Sequence, residues 1–466
     1  MRSNLILDTD SYKASHEGMY PPGMDSMFSY LESRGGLYKH TVFFGLQYLL
    51  REYLSTPITP ADVIEAEMFF KDHGEPFNAG PWNKCIEKFG GYLPIIIRAV
   101  EEGTVVPTHN ILMSVESSGK DPEVASIVSY METMLMRMWY PITVATTSYE
   151  CKRVIMRHLK KTSDDPKAEI GFKLHDFGGR GVSSRESAGI GGAAHLANFM
   201  GSDTVEGIRL ANLVYHSQMS GFSIPATEHS TITSWGRDKE DEAYANLVKR
   251  FCKPGALVAC VSDSYDLYRV VEQVWGGDIG RMVESSGATL VIRPDSGDPA
   301  SVVCNVLDLM KRKVGMSMNS KGYYVLPKHF RIIQGDGVNP VSIDEILTKM
   351  ELSGYSGTNI AFGMGGALLQ KVDRDTQKFA YKCSSCTVNG VKRDVFKDPV
   401  TDHGKMSKRG ELDLIENERG DFQTVTRTSL TDDKSLLKVV YKPGLIVLNQ
   451  DLQSIRGRID AALDQE

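Results

Sequence analysis

Short apolar runs followed by polar, glycine-containing segments recur between residues 172 and 366. Amphipathic stretches follow most of these runs, an order that predicts β-strands alternating with helices in a parallel sheet or barrel. In such folds ligands bind at the carboxyl ends of the strands, so we expect one shared site and an enzyme. The five segments that end in acidic, basic and glycine residues are 172–180, 256–266, 289–297, 330–337 and 359–366.

The flanking parts of the chain have a different pattern. Short β-branched runs at 93–100, 103–106 and 111–115 predict an antiparallel sheet, and similar runs after residue 378 predict further strands before a final helix near 451–464. We therefore expect an α/β fold with an irregular barrel and an added β-rich domain. The expected domains are an α/β barrel over 166–377 and a discontinuous β-rich and helical domain over 1–165 and 378–466.

Helix signals also occur before the barrel. A helix is predicted to begin at Thr59-Pro60, because threonine is a good N-cap and proline suits the first helical position. Segments 122–139 and 144–160 predict two further helices. We place the division between them at Tyr140-Pro141, since the residue before a proline disfavours the helical conformation.

Composition and charge narrow the class of protein. The chain has 466 residues with 41% hydrophobic and 24% charged content, an ordinary globular composition. A net charge of -6 argues against a broad nucleic-acid or membrane surface. The first ten residues lack the apolar run of a signal peptide, and the seven sparse cysteines fit reduced thiols, so we expect a cytoplasmic protein. Cys383 and Cys386 form a CxxC pair without a second pair, which we interpret as structural.

Glycine-rich segments after two of the predicted strands suggest phosphate and ribose binding. Gly363-Met364-Gly365-Gly366 would open a helix, where backbone N–H groups can approach a phosphate, although a tight turn explains the glycines equally well. A dinucleotide fingerprint would need glycine where Leu368 stands. Gly335-Asp336-Gly337 strengthens the binding hypothesis, because a carboxylate between glycines can bind ribose hydroxyls.

His229 is the candidate nucleophile or proton carrier. It lies between Glu228 and Ser230 in a loop marked by glycine and proline, and a carboxylate that orients one ring nitrogen leaves the other free to react. An ordinary hydrogen-bonded loop histidine is the alternative.

Basic and aromatic residues add candidate ligand contacts. Arginines in or beside glycine-rich segments can clamp phosphate oxygens with two parallel hydrogen bonds, with solvated salt bridges as the alternative. Tyr12 and Phe177 could stack on a flat ring, although an isolated aromatic is more often part of the core. The basic candidates are Arg34, Arg180, Arg293, Arg374 and the late loop that contains Lys405 and Lys408.

Longer motifs occur in order along nearly the whole chain. They are 8–13 (DTDSYK), 41–48 (TVFFGLQY), 139–146 (WYPITVAT), 173–184 (KLHDFGGRGVSS), 228–235 (EHSTITSW), 261–266 (VSDSYD), 292–297 (IRPDSG) and 395–399 (VFKDP). Together they closely resemble the nicotinamide phosphoribosyltransferase family, which joins nicotinamide to the ribose of phosphoribosyl pyrophosphate and releases pyrophosphate. The resemblance implies a type II phosphoribosyltransferase fold, a role in NAD salvage, and a homodimer whose active sites lie at the interface.

The resemblance implies a binding site for the pyridine ring. Phe177 and the partner subunit's Tyr12 would stack on the ring, with Arg293 and Asp203 at its carboxamide. Asp203 would accept a hydrogen bond from the amide and repel the carboxylate of nicotinate. A helix N-cap is the competing interpretation of Asp203. Asp10 and Ser223 are also assigned to substrate binding.

Phosphate binding and ATP coupling are implied in the same way. His229 matches a histidine that ATP phosphorylates in the family, with Asp266 and Asp295 placed to orient it and to help hold hydrated Mg²⁺. Arg180 matches the pyrophosphate side. The phosphate-binding positions are Arg34, Arg374, Lys382 and Lys405, and the ribose-phosphate cradle is Gly335, Asp336, Gly365 and Gly366.

Two residues depart from the family pattern, and two other functions remain open. Ala380 replaces a hydroxyl residue near the phosphate-binding lysine, which removes one expected hydrogen bond. Met364 replaces a small residue between the glycines. The alternatives are a nicotinate phosphoribosyltransferase, which Asp203 disfavours, and a non-catalytic nucleotide-binding protein, which retention of His229 and the arginines disfavours.

Overall fold

The structure, a computed structural model, describes residues 4–401, 406–427 and 434–465. Its internal contacts divide the chain into two compact units. The first unit comprises Met1–Thr146, Val214–His216 and Asp373–Glu466. The second unit comprises Thr147–Leu213 and Ser217–Val372.

The strands of the described chain are numbered along the sequence. They are β1 (Met24–Ser33), β2 (His40–Val42), β3 (Ile95–Ala99), β4 (Val105–Pro107), β5 (Ile111–Ser117), β6 (Leu174–Asp176), β7 (Gly201–Ser202), β8 (Leu257–Val261), β9 (Thr289–Arg293), β10 (Ser317–Met318), β11 (Tyr324–Val325), β12 (Phe330–Gln334), β13 (Ile360–Met364), β14 (Phe379–Val388), β15 (Val391–Asp394), β16 (Leu412–Glu416), β17 (Phe422–Thr426), β18 (Lys438–Lys442) and β19 (Leu445–Ile446).

The α-helices are numbered in the same way. They are α1 (Leu46–Tyr53), α2 (Pro60–His73), α3 (Gly80–Phe89), α4 (Ile127–Tyr130), α5 (Glu132–Met136), α6 (Trp139–Thr162), α7 (Pro166–Glu169), α8 (Arg185–Leu196), α9 (Val205–Val214), α10 (His229–Thr233), α11 (Glu240–Phe251), α12 (Leu267–Arg269), α13 (Asp278–Ser286), α14 (Pro299–Val314), α15 (Pro340–Leu352), α16 (Gly366–Leu369) and α17 (Leu452–Asp464). A π-helix spans Val270–Trp275, and 3₁₀ helices span Leu5–Leu7, Ser11–Met19, Ile170–Phe172, Gly179–Gly181, Arg237–Lys239 and Gly357–Asn359.

A parallel sheet forms the centre of the second unit, in the order β7-β6-β13-β12-β9-β8. Its apolar runs are buried because helices follow the strands and cover them; Ile292, Ile332 and Phe362 have no exposed surface. All five strands predicted from the sequence are present, as β6, β8, β9, β12 and β13. The prediction of a parallel α/β architecture is therefore confirmed.

The two edges of this sheet meet through an irregular segment. Phe222 pairs with Gly201 of β7, and Ala226 pairs with Ala259 of β8, each as a single parallel bridge. Backbone bonds support both bridges, from Ser202 N to Phe222 O (3.0 Å) and from Thr227 N to Ala259 O (3.1 Å). Neither β7 nor this segment was predicted, because the strand has two residues and the bridges are isolated.

An antiparallel sheet organises the first unit, in the order β15-β14-β1-β5-β3-β18-β19. The predicted early strands are present and antiparallel, with β3 paired to β5, but β4 pairs with β2 in a separate two-stranded sheet. The strands predicted after residue 378 appear as β14, β17 and β18, and the final helix appears as α17. Cys383 and Cys386 lie on β14 as free thiols.

One helix prediction is confirmed and one is wrong. Helix α2 begins at Pro60, and Thr59 and Asp62 bond each other's backbone N–H groups in a capping box. The division at Tyr140-Pro141 is wrong, because α6 begins at Trp139 and takes the proline into its first turn. Proline is tolerated there, since the first N–H groups of a helix have no intrahelical partner. None of the helices in the described ranges is both long and apolar enough to cross a membrane.

Candidate active site

A cavity of about 1340 Å³ opens within the second unit along its parallel sheet. Side chains at the carboxyl ends of the strands line one part of it, and Lys173 and Arg331 line it further along the strands. The size far exceeds what a single aromatic ring fills, so the cavity has room for a ring and an extended group. The residues predicted from sequence that line it are Phe177, Arg180, Asp203, Ser223 and Arg293.

Phe177 is held against two glycines from neighbouring strands. A Cβ atom at Gly363 would lie 1.9 Å from Cε2 of Phe177, and one at Gly335 would lie 3.6 Å from the same atom. Only glycine at position 363 therefore leaves room for the ring. The backbone N–H of Phe177 donates to the carbonyl of Met364 at 3.0 Å, which fixes the turn after β6.

Met364 does not point into the predicted cradle. Its side chain is buried, and Cys151 Sγ lies 4.0 Å from its sulfur. The substitution between the glycines is therefore accommodated by the core, because a flexible thioether fills irregular space there.

Asp203 faces the cavity with its carboxylate exposed. Ser223 Oγ donates a hydrogen bond to Oδ1 of Asp203, and the backbone N–H of Asp203 donates to the carbonyl of Asp176 at 2.9 Å. The alternative interpretation as a helix N-cap is wrong. Helix α9 begins at Val205, and Thr204 is the residue whose carbonyl accepts the first helical bonds.

His175 lines the cavity and was not selected from the sequence. Its ring packs against Gly201, where a Cβ atom would lie 2.4 Å from Nδ1. Burial lowers the pKa of His175, while the charge of Asp203 acts in the opposite direction. Because burial has the larger effect on the pKa, a neutral imidazole is favoured at His175 beside Asp203. Strand alternation could have identified His175, because it lies two residues before Phe177 and so on the same face.

His229 lies at the start of α10 and contacts a buried carboxylate. Its Nε2 atom is 3.0 Å from Oδ1 of Asp263; the histidine side chain is 48% exposed, whereas Asp263 is 5% exposed. The other oxygen of Asp263 accepts the backbone N–H of Asp295 at 3.2 Å. Asp263 is therefore fixed, and it orients one ring nitrogen while the other stays accessible.

This pairing corrects the carboxylates expected around His229. Asp266 accepts the backbone N–H of Arg269 at 3.0 Å and caps α12, so its side chain serves the helix. Asp295 faces Arg293, with 3.4 Å between Oδ2 and Nη2. Glu228 accepts a hydrogen bond from Ser230 Oγ. Asp263 was missed, although it follows the end of β8 more closely than Asp266 does.

The predicted cradle glycines lie beside these groups. A Cβ atom at Gly335 would be 3.3 Å from Oδ1 of Asp295, so the turn after β12 approaches the Arg293–Asp295 pair. Gly365 and Gly366 open α16, and a Cβ atom at Gly181 would be 3.4 Å from Cα of Gly366. The segment that carries Arg180 therefore adjoins the second glycine pair. Asp336 follows β12, where its carbonyl accepts from Gln334 Nε2 at 2.9 Å.

The remaining predicted residues belong to the first unit. Tyr12 is 53% exposed, and Asp10 accepts a hydrogen bond from Thr133 Oγ1 at 2.8 Å. Arg374 is exposed and forms a 3.0 Å ion pair with Asp375. Lys405 lies outside the described residues.

Arg34 and Lys382 form a basic region on the antiparallel sheet. Arg34 Nε donates to Glu32 at 2.9 Å, and Lys382 lies on β14 opposite Tyr30. Burial lowers the pKa of Lys382, and the positive charge of Arg34 lowers it further. Ala380 pairs with Glu32 in the same register and is buried. Its methyl side chain cannot supply the hydroxyl expected near Lys382.

The side chains of the site determine how the expected Mg²⁺ could be bound. Among the described residues, no group of three or more histidine, cysteine, aspartate or glutamate side chains could hold a metal ion. Mg²⁺ commonly keeps several waters and binds one or two carboxylates together with substrate phosphates. Asp295 supplies carboxylate oxygens of that type beside Arg293.

Solved structures with low sequence identity share the fold. Nicotinate-nucleotide pyrophosphorylase from Pyrococcus furiosus has a TM-score of 0.64 at 14% identity, covering 99% of this chain and 96% of that one. Human nicotinic acid phosphoribosyltransferase has a TM-score of 0.56 at 15% identity, covering 98% and 94%. The irregular parallel barrel with an antiparallel β-rich region is thus the type II phosphoribosyltransferase fold, as predicted.

Sequence comparisons extend along the whole chain. A nicotinamide phosphoribosyltransferase of Xanthomonas campestris is 52% identical over 464 residues, covering 98% of each chain. One of Acinetobacter baylyi is 29% identical over 500 residues, covering 99% of this chain and 98% of that protein. The model of the nicotinate phosphoribosyltransferase (NAPRTase) family matches residues 172–444, and that of the nicotinamide phosphoribosyltransferase N-terminal domain matches residues 4–97. The chain therefore belongs to the NAPRTase family, within it to the nicotinamide phosphoribosyltransferases, and is a pentosyltransferase.

Proposed function

We propose that this enzyme transfers the phosphoribosyl group of phosphoribosyl pyrophosphate to nicotinamide, giving nicotinamide mononucleotide and pyrophosphate for NAD salvage. The ring nitrogen forms a bond to C1 of the ribose, and the bond from C1 to the pyrophosphate oxygen breaks. The observation that carries the amide specificity is the Asp203–Ser223 pair, which stands in the same cavity as Phe177. The 52% identity to a nicotinamide phosphoribosyltransferase supports the same substrate.

The pyridine ring would lie on Phe177. An aromatic ring stacks on another with little loss of side-chain entropy, and Gly363 leaves the space that the Phe177 ring occupies. We assign the second stacking ring to the partner subunit's Tyr12 in a homodimer. The exposure of Tyr12 supports this assignment, because a tyrosine that is 53% exposed has ring surface available to a ligand.

Amide selectivity would come from the charge of Asp203. Its carboxylate accepts a hydrogen bond from the nicotinamide NH₂ and repels the carboxylate of nicotinate at the same position. Ser223 donates to one oxygen of Asp203, which leaves the other oxygen to accept from the ligand. Arg293 also lines the cavity, so its guanidinium can donate to the amide oxygen.

The phosphates would bind at the glycine cradle and the basic residues. Backbone N–H groups at Gly365 and Gly366 can approach a phosphate, and Arg180 lies in the adjoining segment. Arg34, Arg374, Lys382 and Lys405 are assigned to phosphate oxygens. In the transition state positive charge develops on the ribose and negative charge on the departing pyrophosphate, which arginines stabilise. Bound Mg²⁺ would neutralise part of the pyrophosphate charge, and Asp295 would supply a carboxylate to help hold it.

ATP coupling would pass through His229. With Nε2 held by Asp263, the Nδ1 atom attacks the γ-phosphorus of ATP, the N–P bond forms, and ADP leaves with the bridging oxygen. Hydrolysis of the phosphohistidine then returns free imidazole and inorganic phosphate. Asp263 supports this step because a buried, fixed carboxylate stabilises the positive charge that develops on the ring.

Product analysis tests the proposed function. The purified full chain, mixed with nicotinamide, phosphoribosyl pyrophosphate and Mg²⁺, should form nicotinamide mononucleotide and pyrophosphate in equal amounts. Nicotinate in place of nicotinamide should react more slowly. Formation of nicotinate mononucleotide at the higher rate would favour the nicotinate enzyme, and no mononucleotide from either base would reject a transferase role.

A further inference from the structure

A buried carboxylate on β1 holds two cations of the first unit. The side chain of Glu32 is 3% exposed. Arg34 Nε donates to its Oε1 atom at 2.9 Å, and Lys408 Nζ donates to its Oε2 atom. The sequence alone does not indicate either of these contacts of Glu32. A buried carboxylate with two cationic partners fixes both of them, because losing either contact would leave charge unpaired in a poorly solvated place.

The backbone and a tyrosine complete this arrangement. Glu32 and Arg34 are two residues apart at the end of β1, and Arg34 N donates to Lys378 O at 3.1 Å. Tyr30 Oη accepts the backbone N–H of Lys408 at 3.2 Å. Lys408 is therefore held at its backbone by Tyr30 and at its side chain by Glu32. Burial, and then the charge of Glu32, raises the pKa of Tyr30 to about 12, so this hydroxyl stays neutral at physiological pH.

The same region keeps an excess of positive charge. Lys382 lies opposite Tyr30 on β14, and Arg34, Lys13 and Lys397 are the cations that lower its pKa after burial. Arg34 Nη2 has no hydrogen-bond partner among the described residues. Glu132 also lies in this cluster, with 2.6 Å to Lys13 Nζ and 3.9 Å to Lys382 Nζ. Two carboxylates, Glu32 and Glu132, thus compensate only part of the charge of the five cations named here. A cluster with surplus cations suits an anion with several oxygen atoms.

We infer that Glu32 is a positioning residue for the phosphate groups of phosphoribosyl pyrophosphate, acting through Arg34 and Lys408. This inference rests on the proposed function, in which Arg34 binds phosphate. Long cationic side chains lose rotamer entropy when they bind a ligand. Glu32 removes part of that loss in advance, because it holds the guanidinium and the ammonium in place before the substrate arrives.

For Glu32→Gln, the inference predicts weaker binding of phosphoribosyl pyrophosphate, whereas the change in charge alone predicts tighter binding. Replacing Glu32 with glutamine removes one negative charge beside the phosphate site, which by itself would tighten the binding of an anion. Loss of positioning would weaken that binding instead. Glu32→Gln should therefore raise the KM for phosphoribosyl pyrophosphate by about tenfold, with the KM for nicotinamide within about twofold of wild type.

Glu116 provides a matched control. It lies on β5 of the same sheet and also pairs with two arginines, Arg427 at 2.6 Å and Arg98 at 3.4 Å. Glu116→Gln should lower the thermal stability yet leave both KM values within about twofold. An unchanged or lower KM for phosphoribosyl pyrophosphate in Glu32→Gln would overturn the inference. An equal rise in Glu116→Gln would do the same, because it would reveal a general structural effect.

A second variant covers the case in which Glu32→Gln does not fold. Glu32→Asp keeps the charge but shortens the reach to Arg34, so the KM for phosphoribosyl pyrophosphate should rise severalfold; a wild-type value would overturn the inference. The two proposals fail differently. A wild-type enzyme that forms no mononucleotide rejects the proposed function, whereas an active wild type with an unaffected Glu32→Asp or Glu32→Gln variant rejects only the role of Glu32.

Discussion

Nε2 of His229 lies 3.0 Å from Oδ1 of Asp263, a carboxylate that is almost completely buried and that also accepts the backbone N–H of Asp295. This contact selects one of several aspartates in the loops after β8 and β9 as the partner of the imidazole. Because the contact engages Nε2, Nδ1 is the ring nitrogen that it leaves unengaged, and it distinguishes Asp263, which contacts the ring, from Asp266, which caps a helix.

The contact predicts different effects for two nearby aspartates. With γ-labelled ATP, the wild type should acquire an acid-labile, base-stable label, and His229→Ala should lose the label and the stimulation by ATP. Asp263→Asn should reduce labelling at least about tenfold, because the imidazolium loses its counter-charge. Asp266→Asn should retain labelling, since asparagine is also a good N-cap. Loss of label in Asp266→Asn with retention in Asp263→Asn would reverse the assignment.

Basal synthesis should persist in His229→Ala, because phosphorylation of the histidine and transfer of the phosphoribosyl group are separate steps. The decisive readout is ATP hydrolysis measured together with mononucleotide formation. The two should be coupled in the wild type and uncoupled in the variant. ATP hydrolysis that still keeps pace with synthesis in His229→Ala would leave the histidine with an orienting role only.

Gly363→Ala should displace the ring of Phe177. The added Cβ atom would lie 1.9 Å from Cε2 of Phe177, so the ring must move away from its place in the cavity. We expect the KM for nicotinamide to rise by about twofold to tenfold, since a stacked aromatic pair contributes roughly 0.5–1.5 kcal/mol beyond area burial. Gly457→Ala on α17, where no atom lies within 4 Å of the new Cβ, should leave the KM unchanged. Equal KM values for both variants would refute the packing argument.

Subunit mixing tests the shared site. Tyr12→Ala and Phe177→Ala homo-oligomers should each be nearly inactive, but their mixture should regain part of the activity, because one site in a hybrid dimer has both rings intact. Subunit exchange is verified by mass spectrometry of the intact assembly. Inactive mixtures with confirmed hybrids would mean that each site is built within one chain.

Asp176 should make stability depend on pH. Burial raises the pKa of Asp176 to about 6, whereas an unfolded aspartate titrates near 3.9. The folded state therefore binds the proton more tightly, and its contribution is present below about pH 4 and lost as pH rises through 6, by roughly 3 kcal/mol. Asp176→Asn removes this dependence while its side-chain oxygen can still accept the N–H of Gly178.

The measurement is the difference in Tm between Asp176→Asn and the wild type at several pH values. It should shift in favour of the variant as pH rises from 4 to 7. A difference that stays constant over this range would show that the carboxyl is not perturbed in the folded state.

The sequence predicts the parallel strands because each is a continuous apolar run, but shorter features escape this kind of pattern. Strand β7 has two residues, and the bridges at Phe222 and Ala226 that join the sheet edges have no periodicity. The predicted helix boundary at Pro141 is wrong, because a proline breaks a helix in its interior but is tolerated in its first turn, where Pro141 lies.

The sequence shows which residues lie near a site, but it does not show which of their side chains point into it. The segment after β8 contains Asp263 and Asp266, and either could face His229 on residue type alone. Their separate roles depend on backbone geometry, which places Asp266 at a helix N-terminus and Asp263 beside the ring. Glu32 is similar, because its two cationic partners come from positions 34 and 408, which only the folded sheet brings together.

The central claim, amide specificity through Asp203, is tested most directly by kcat/KM for nicotinamide and nicotinate in the wild type and in Asp203→Asn. The wild type should prefer nicotinamide, and the variant should shift the ratio toward nicotinate by about tenfold or more, since a charged hydrogen bond contributes about 1.5–3 kcal/mol. Ser223→Ala, which keeps the charge of Asp203, should shift the ratio less. An unchanged ratio in Asp203→Asn, or a wild type that prefers nicotinate, would contradict the account.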